Sequence, residues 1–64
     1  MNIETLKILI AERQLTIEKL ANIAGVSADV IYKTLAKKRK PNLSTIGKLA
    51  AALNVSPKEL LKED

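Results

Sequence analysis

Cysteine and histidine are both missing from the 64 residues, tryptophan and phenylalanine are missing too, and tyrosine occurs once. Without cysteine no disulfide can staple the chain. A zinc site would have to be built from carboxylates alone, and neither a metal nor a cofactor is expected. The same two absences remove the usual general base and the most reactive nucleophile. No catalytic residue is nominated, and a conventional hydrolase or redox enzyme is disfavoured. Uninterrupted apolar runs such as Ile8 to Ala11 are only a few residues long, far short of the roughly 20 that a membrane-spanning helix needs. The start, Met1-Asn2-Ile3-Glu4, lacks the basic opening and apolar stretch of a signal peptide. The expectation is a cytoplasmic protein with no membrane partner.

What is present fits an ordinary globular chain: 47% of the residues are hydrophobic and 28% charged. No repeat, low-complexity tract or linker divides it, so residues 1–64 read as one domain. Eleven Lys+Arg oppose seven Asp+Glu, giving a formal charge of +4. That total is weak evidence for a polyanionic partner, but its distribution is uneven. Lys33, Lys37, Lys38, Arg39 and Lys40 fall in an eight-residue window without an acid, worth +5, and the other 56 residues come to −1. The window is either a solvated loop or an electrostatic footprint for phosphate.

Apolar spacing is helical throughout, and no segment alternates like a strand. Five short helices are expected, over about 2–13, 16–24, 27–36, 42–53 and 56–62. Their stripes are Ile3, Leu6, Leu9 and Ile10; Ile17, Leu20, Ala21 and Ala24; Ile31 and Leu35; and Leu43, Ile46, Leu49, Ala50 and Leu53. Asn2, Thr16, Ser27 and Asn42 stand as N-caps, because each can accept from a free backbone N–H. Ser56-Pro57-Lys58-Glu59 reads as a capping box with proline at the first helical position. Gly47 inside the fourth helix costs roughly 1 kcal/mol against alanine. It either permits close packing or is simply tolerated.

Helices two and three are separated only by Gly25-Val26 before Ser27. Gly25 can take positive φ and end one helix, Val26 can plug the corner, and Ser27 starts the next. A tight glycine turn between short helices is the sequence form of a helix-turn-helix, although an ordinary helical hairpin would look similar. The surroundings add more. Leu15-Thr16, Leu20-Ala21, Gly25-Val26-Ser27, Ile31, Lys38-Arg39-Lys40-Pro41, Leu43 and Leu53-Asn54-Val55-Ser56 stand in order over about residues 3–62. In this the chain resembles the Cro/phage-repressor (XRE-type) helix-turn-helix family.

The resemblance implies an all-α, five-helix, lambda-repressor-like domain. It also implies a transcriptional regulator that binds double-stranded DNA, often as a dimer on a two-fold operator. Four positions depart from the family's habit. Ile17 stands where a phosphate-binding Gln is common. Ile10 and Leu35 stand where the family often has an internal Arg–Glu pair. Since replacing both charges can be neutral or stabilising, Ile10 is expected to touch Leu35. Lys37 replaces a glycine after the third helix, which leaves room for that helix to run on into the basic loop.

With Ile31 and Leu35 inward, Asp29, Lys33 and Ala36 point outward, with Val30, Tyr32 and Lys37 at the edges. The family's base-reading positions fall on Ala28, Asp29 and Lys33. Lys33 can donate to guanine, Asp29 can accept from cytosine, and Ala28 offers only a methyl group. Asp29 could equally serve only to stabilise the helix N-terminus. Thr16, Ser27, Tyr32, Lys37, Lys38, Arg39, Lys40 and Asn42 are the expected backbone contacts, which position without reading sequence. For Tyr32 the plain alternative is an amphipathic residue covering the core edge. Leu60 and Leu61 are about 100° apart on a helix, so Leu60 is assigned to the core and Leu61 to a weak homodimer contact. A partly exposed leucine is the plain alternative. The rival to DNA binding is an antitoxin- or adaptor-type protein-interaction module on the same fold.

Overall fold

Helix starts explain most of the architecture. In the computed structural model, which describes residues 1–62, the chain forms α1 (Ile3–Glu12), α2 (Ile17–Ala24), α3 (Ala28–Leu35), α4 (Leu43–Leu53) and α5 (Pro57–Leu61). Each begins one residue after a side chain that accepts from a backbone N–H of the first turn. Asn2 takes Thr5 at 3.1 Å, Thr16 takes Lys19 at 3.1 Å, Ser27 takes Val30 at 3.3 Å and Asn42 takes Thr45 at 2.8 Å. A cap of this kind is worth about 1 kcal/mol over alanine. The fifth start is different from expectation. Ser56 accepts from Lys58 at 3.3 Å rather than from Glu59, so the box geometry is replaced by a simple cap with Pro57 at the first position.

The stops share a second device. Gln14, Gly25, Lys37 and Asn54 take left-handed backbone, with φ of 54°, 74°, 62° and 58°. The next residue in each case donates its N–H to a carbonyl five residues back: Leu15 to Ile10, Val26 to Ala21, Lys38 to Lys33 and Val55 to Ala50. This closure satisfies carbonyls that a helix end would otherwise leave without partners. It also settles the end of α3. That helix does not run on into the basic loop. Lys37 adopts the turn itself, although a residue with a Cβ is disfavoured there.

Ten apolar side chains form the core: Leu6 and Ile10 of α1, Leu20 and Ala21 of α2, Ile31 of α3, Ile46, Leu49, Ala50 and Leu53 of α4, and Leu60 of α5. α4 supplies the most and packs on α2 and α5, while α1 packs on α5 and α3, and α2 on α3. Asn2 closes the ring. Its backbone N–H donates to Leu60 at 2.6 Å and its side-chain amide to Lys62 at 2.9 Å.

Two apolar assignments change. Leu43 is 76% exposed. As the first residue of α4 it precedes the turn that reaches the core, so the buried stripe starts at Ile46. Thr34, which belongs to none of the apolar stripes, is fully buried. It is tolerated there because its hydroxyl donates to the Val30 carbonyl at 2.7 Å. Ile10 is buried, and Leu35 packs partly buried against the same cluster, the environment that an apolar replacement for an ion pair requires.

A Cβ built on either glycine would meet nothing within 4 Å. The cost at Gly25 is therefore conformational alone, and Gly47 is tolerated rather than needed for close packing. Three substitutions should separate these effects in denaturant unfolding. Gly47→Ala should stabilise by about 0.5–1 kcal/mol, and Lys37→Gly by about 1 kcal/mol through relief of the left-handed turn. Gly25→Ala should destabilise by about 1–2 kcal/mol. A loss of stability in Lys37→Gly would contradict the account of the α3 stop.

Candidate nucleic-acid interface

The α2–α3 pair is held at its corner by Gly25 and by Val26, whose side chain packs against the core. Ser27 caps α3 immediately afterwards. The turn is too short for the chain to continue in line, so α3 must leave α2 at an angle. Its outer surface carries Asp29, Tyr32, Lys33 and Ala36, all exposed, with Ala28 and Val30 half-buried at the flanks. The expected base-reading residues thus lie on one helix, with Asp29 and Lys33 on its solvent side.

The basic run splits into two parts. Lys37, Arg39 and Lys40 line a hollow of about 250 Å³ together with Met1, Ile3, Thr34 and Pro41. Lys38 instead follows the turn back toward Lys33, to whose carbonyl its N–H is bonded at 2.9 Å. All four cations of the run are exposed. None has an acidic partner among the described residues, where the ion pairs are Glu4–Lys7, Glu12–Arg13 and Asp29–Lys33. Their charge is available to an external anion.

The capping residues keep a donor in reserve. Thr16 and Ser27 accept with their hydroxyl oxygens, and Asn42 accepts with its carbonyl oxygen. The caps do not use the hydroxyl protons or the amide NH₂, which can donate. A phosphate is acceptor-only, so it can use these groups without undoing the caps.

The fold has counterparts among known proteins. The model of the Cro/C1-type HTH DNA-binding domain matches residues 5–63. The chain belongs to this family. The crystal structure of the restriction-modification controller protein C.AhdI from Aeromonas hydrophila is similar, with a TM-score of 0.86 at 31% identity. The match covers 91% of this chain and 88% of that one. No curated protein sequence matches the chain.

Within this Cro/C1-type domain two side chains expected at DNA are already engaged by acids. Lys33 pairs with Asp29 at 3.0 Å, one helical turn away, with both side chains more than half exposed. A pair in such solvent is worth only about 0.3–0.5 kcal/mol. It orients Lys33 but does not prevent exchange for a base edge, which is worth about 1–3 kcal/mol. Tyr32 donates its only proton to Glu18 Oε2 at 2.7 Å, across from α3 to α2. It cannot donate to a phosphate while that bond stands.

Glu18 was not marked by spacing or motif. It stands 14 residues from its partner, and only the angle between the two helices brings them together. The bond leaves an electrostatic trace. Donation from Tyr32, helped by a backbone N–H, holds the Glu18 carboxyl below its ordinary range against a small opposing desolvation. The Tyr32 hydroxyl is raised, first by that bond, then by desolvation and by the Glu18 charge.

The two shifts bound the pH window of the bond. Because Glu18 is depressed, its contribution is present above the unfolded value of 4.5 and is lost as pH falls through the folded value. Because Tyr32 is raised, its contribution is present below 10.0 and is lost as pH rises through the folded value. A carboxyl-detected NMR titration of Tyr32→Phe should move the Glu18 titration upward. An unchanged Glu18 titration would show that the hydrogen bond is not what depresses it.

Proposed function

We propose that residues 1–64 act as one cytoplasmic, sequence-specific, double-stranded DNA-binding regulator, with α3 in the major groove. Ala28, Asp29 and Lys33 face base edges. Thr16, Ser27, Lys37, Lys38, Arg39, Lys40 and Asn42 meet the sugar-phosphate backbone, and Tyr32 reaches it only by leaving Glu18. The observation that carries this reading is the placement of four exposed cations, without acidic partners among the described residues, directly behind the stop of α3. Membership of a DNA-binding domain family supports it. So does the likeness to a restriction-modification controller protein, and control of gene expression is the role proposed for this chain.

One α3 covers few base pairs, so two copies on a two-fold site are proposed. Leu60 is buried, whereas its neighbour Leu61 is 42% exposed and is assigned to the contact between copies. Selection of bound sequences from random duplex DNA at two salt concentrations tests the whole reading. A two-fold symmetric consensus with salt-sensitive binding is expected. No enrichment, with tight capture of a protein instead, would favour an antitoxin- or adaptor-type module.

On the selected duplex, substitutions should sort by role. Lys38→Ala and Arg39→Ala should weaken binding to all sequences alike and flatten the salt slope by roughly one unit each. Lys33→Ala should cost about 1–3 kcal/mol at one base pair and relax preference there. Equal losses by Lys33→Ala on selected and random DNA would move Lys33 to the backbone set.

A further inference from the structure

The first four helices stop with one backbone pattern but two chemistries. In α1, α2 and α4 the residue after the left-handed position is Leu15, Val26 or Val55. Its N–H reaches back to Ile10, Ala21 or Ala50 at 3.2, 3.0 and 3.0 Å. This closure brings the two side chains over one another, and all six belong to the core or pack against it. Each of these stops is therefore clamped by an apolar pair.

The stop of α3 repeats the backbone, with Lys38 donating to Lys33 at 2.9 Å and Lys37 to Thr34 at 3.0 Å. Where the other stops have apolar residues, these two positions are Lys33 and Lys38, and both are exposed. Lys37, in the left-handed position with φ 62°, is a side-chain-bearing residue where glycine is preferred. Asp29 meets Lys33 at 3.0 Å from the turn before it. Lys38 has no acidic partner among the described residues. No apolar pair clamps this stop, and its opening is correspondingly less opposed than opening of the other three.

We propose that the DNA duplex completes this stop and that Lys38 is a positioning residue for it. Phosphate oxygens meet the charge of Lys38 while a base edge meets that of Lys33. The duplex thereby supplies the hold that an apolar pair gives the other stops, and the segment from Ala36 to Pro41 closes against the end of α3. This rests on the reading of α3 as the DNA-facing helix. It adds that the basic loop is set in place by the duplex, and that Lys38 trades stability of the free chain for binding.

Amide exchange followed by NMR tests this at the four equivalent N–H groups, those of Leu15, Val26, Lys38 and Val55. In the free chain the Lys38 amide should be protected about tenfold less than the other three. The selected duplex should raise its protection in the wild type and in Lys38→Arg. Lys38→Val should raise it without DNA, raise the melting temperature, and weaken duplex binding several-fold. A Lys38 amide as protected as its counterparts in the free chain would overturn the proposal, as would a lower melting temperature in Lys38→Val. Duplex binding that leaves the Lys38 amide unchanged overturns this proposal alone. Absence of any duplex binding overturns the DNA reading and this proposal together.

Discussion

Short helices can enclose a small core only if each one stops abruptly. The left-handed turn that ends α1 to α4, with its backbone bond five residues back, is the constraint on which the rest depends. It releases the chain sideways within two or three residues, so that the apolar stripes of successive helices converge. The same turn that folds the body also fixes the angle of α3 to α2. Recognition geometry and core packing thus have a common origin at Gly25 and Val26.

Charge is arranged around that frame rather than through it. Among the described residues the core contains no ionisable group, and its one buried polar side chain, Thr34, is satisfied within its own helix. Cations gather where α3 ends, and two acids, Glu18 of α2 and Asp29 of α3, are each held by a donor from α3. The outer face of α3 is therefore ordered before any partner arrives, with weak internal bonds that a stronger anionic or base-edge partner can displace.

Local signals made the helices and their starts legible. Asn2, Thr16, Ser27, Asn42 and Ser56 all cap as their residue types suggest, and Gly25 ends α2 because glycine takes positive φ freely. The stops at Gln14, Lys37 and Asn54 were harder to see. Tertiary packing imposed a left-handed turn on side chains with no preference as strong as that of glycine. Leu43 followed the helical period but lay one turn outside the core, and Thr34 was buried despite its polarity because its hydroxyl had a carbonyl within reach. The Glu18–Tyr32 bond depends on an interhelical angle that no spacing encodes. The basic window was visible as composition. Its division into Lys37, Arg39 and Lys40 around one hollow and Lys38 bonded back to the Lys33 carbonyl was not, because both follow from the turn at Lys37.

The central claim is that one continuous surface, the outer face of α3 with the segment behind it, meets duplex DNA. Cross-saturation from an unlabelled duplex to the amides of the labelled chain tests this most directly. The account predicts the strongest transfer at Ser27 to Lys33 and at Lys37 to Asn42, with little at the outer face of α1 around Ile8. Transfer centred on Ile8, with α3 unaffected, would contradict it.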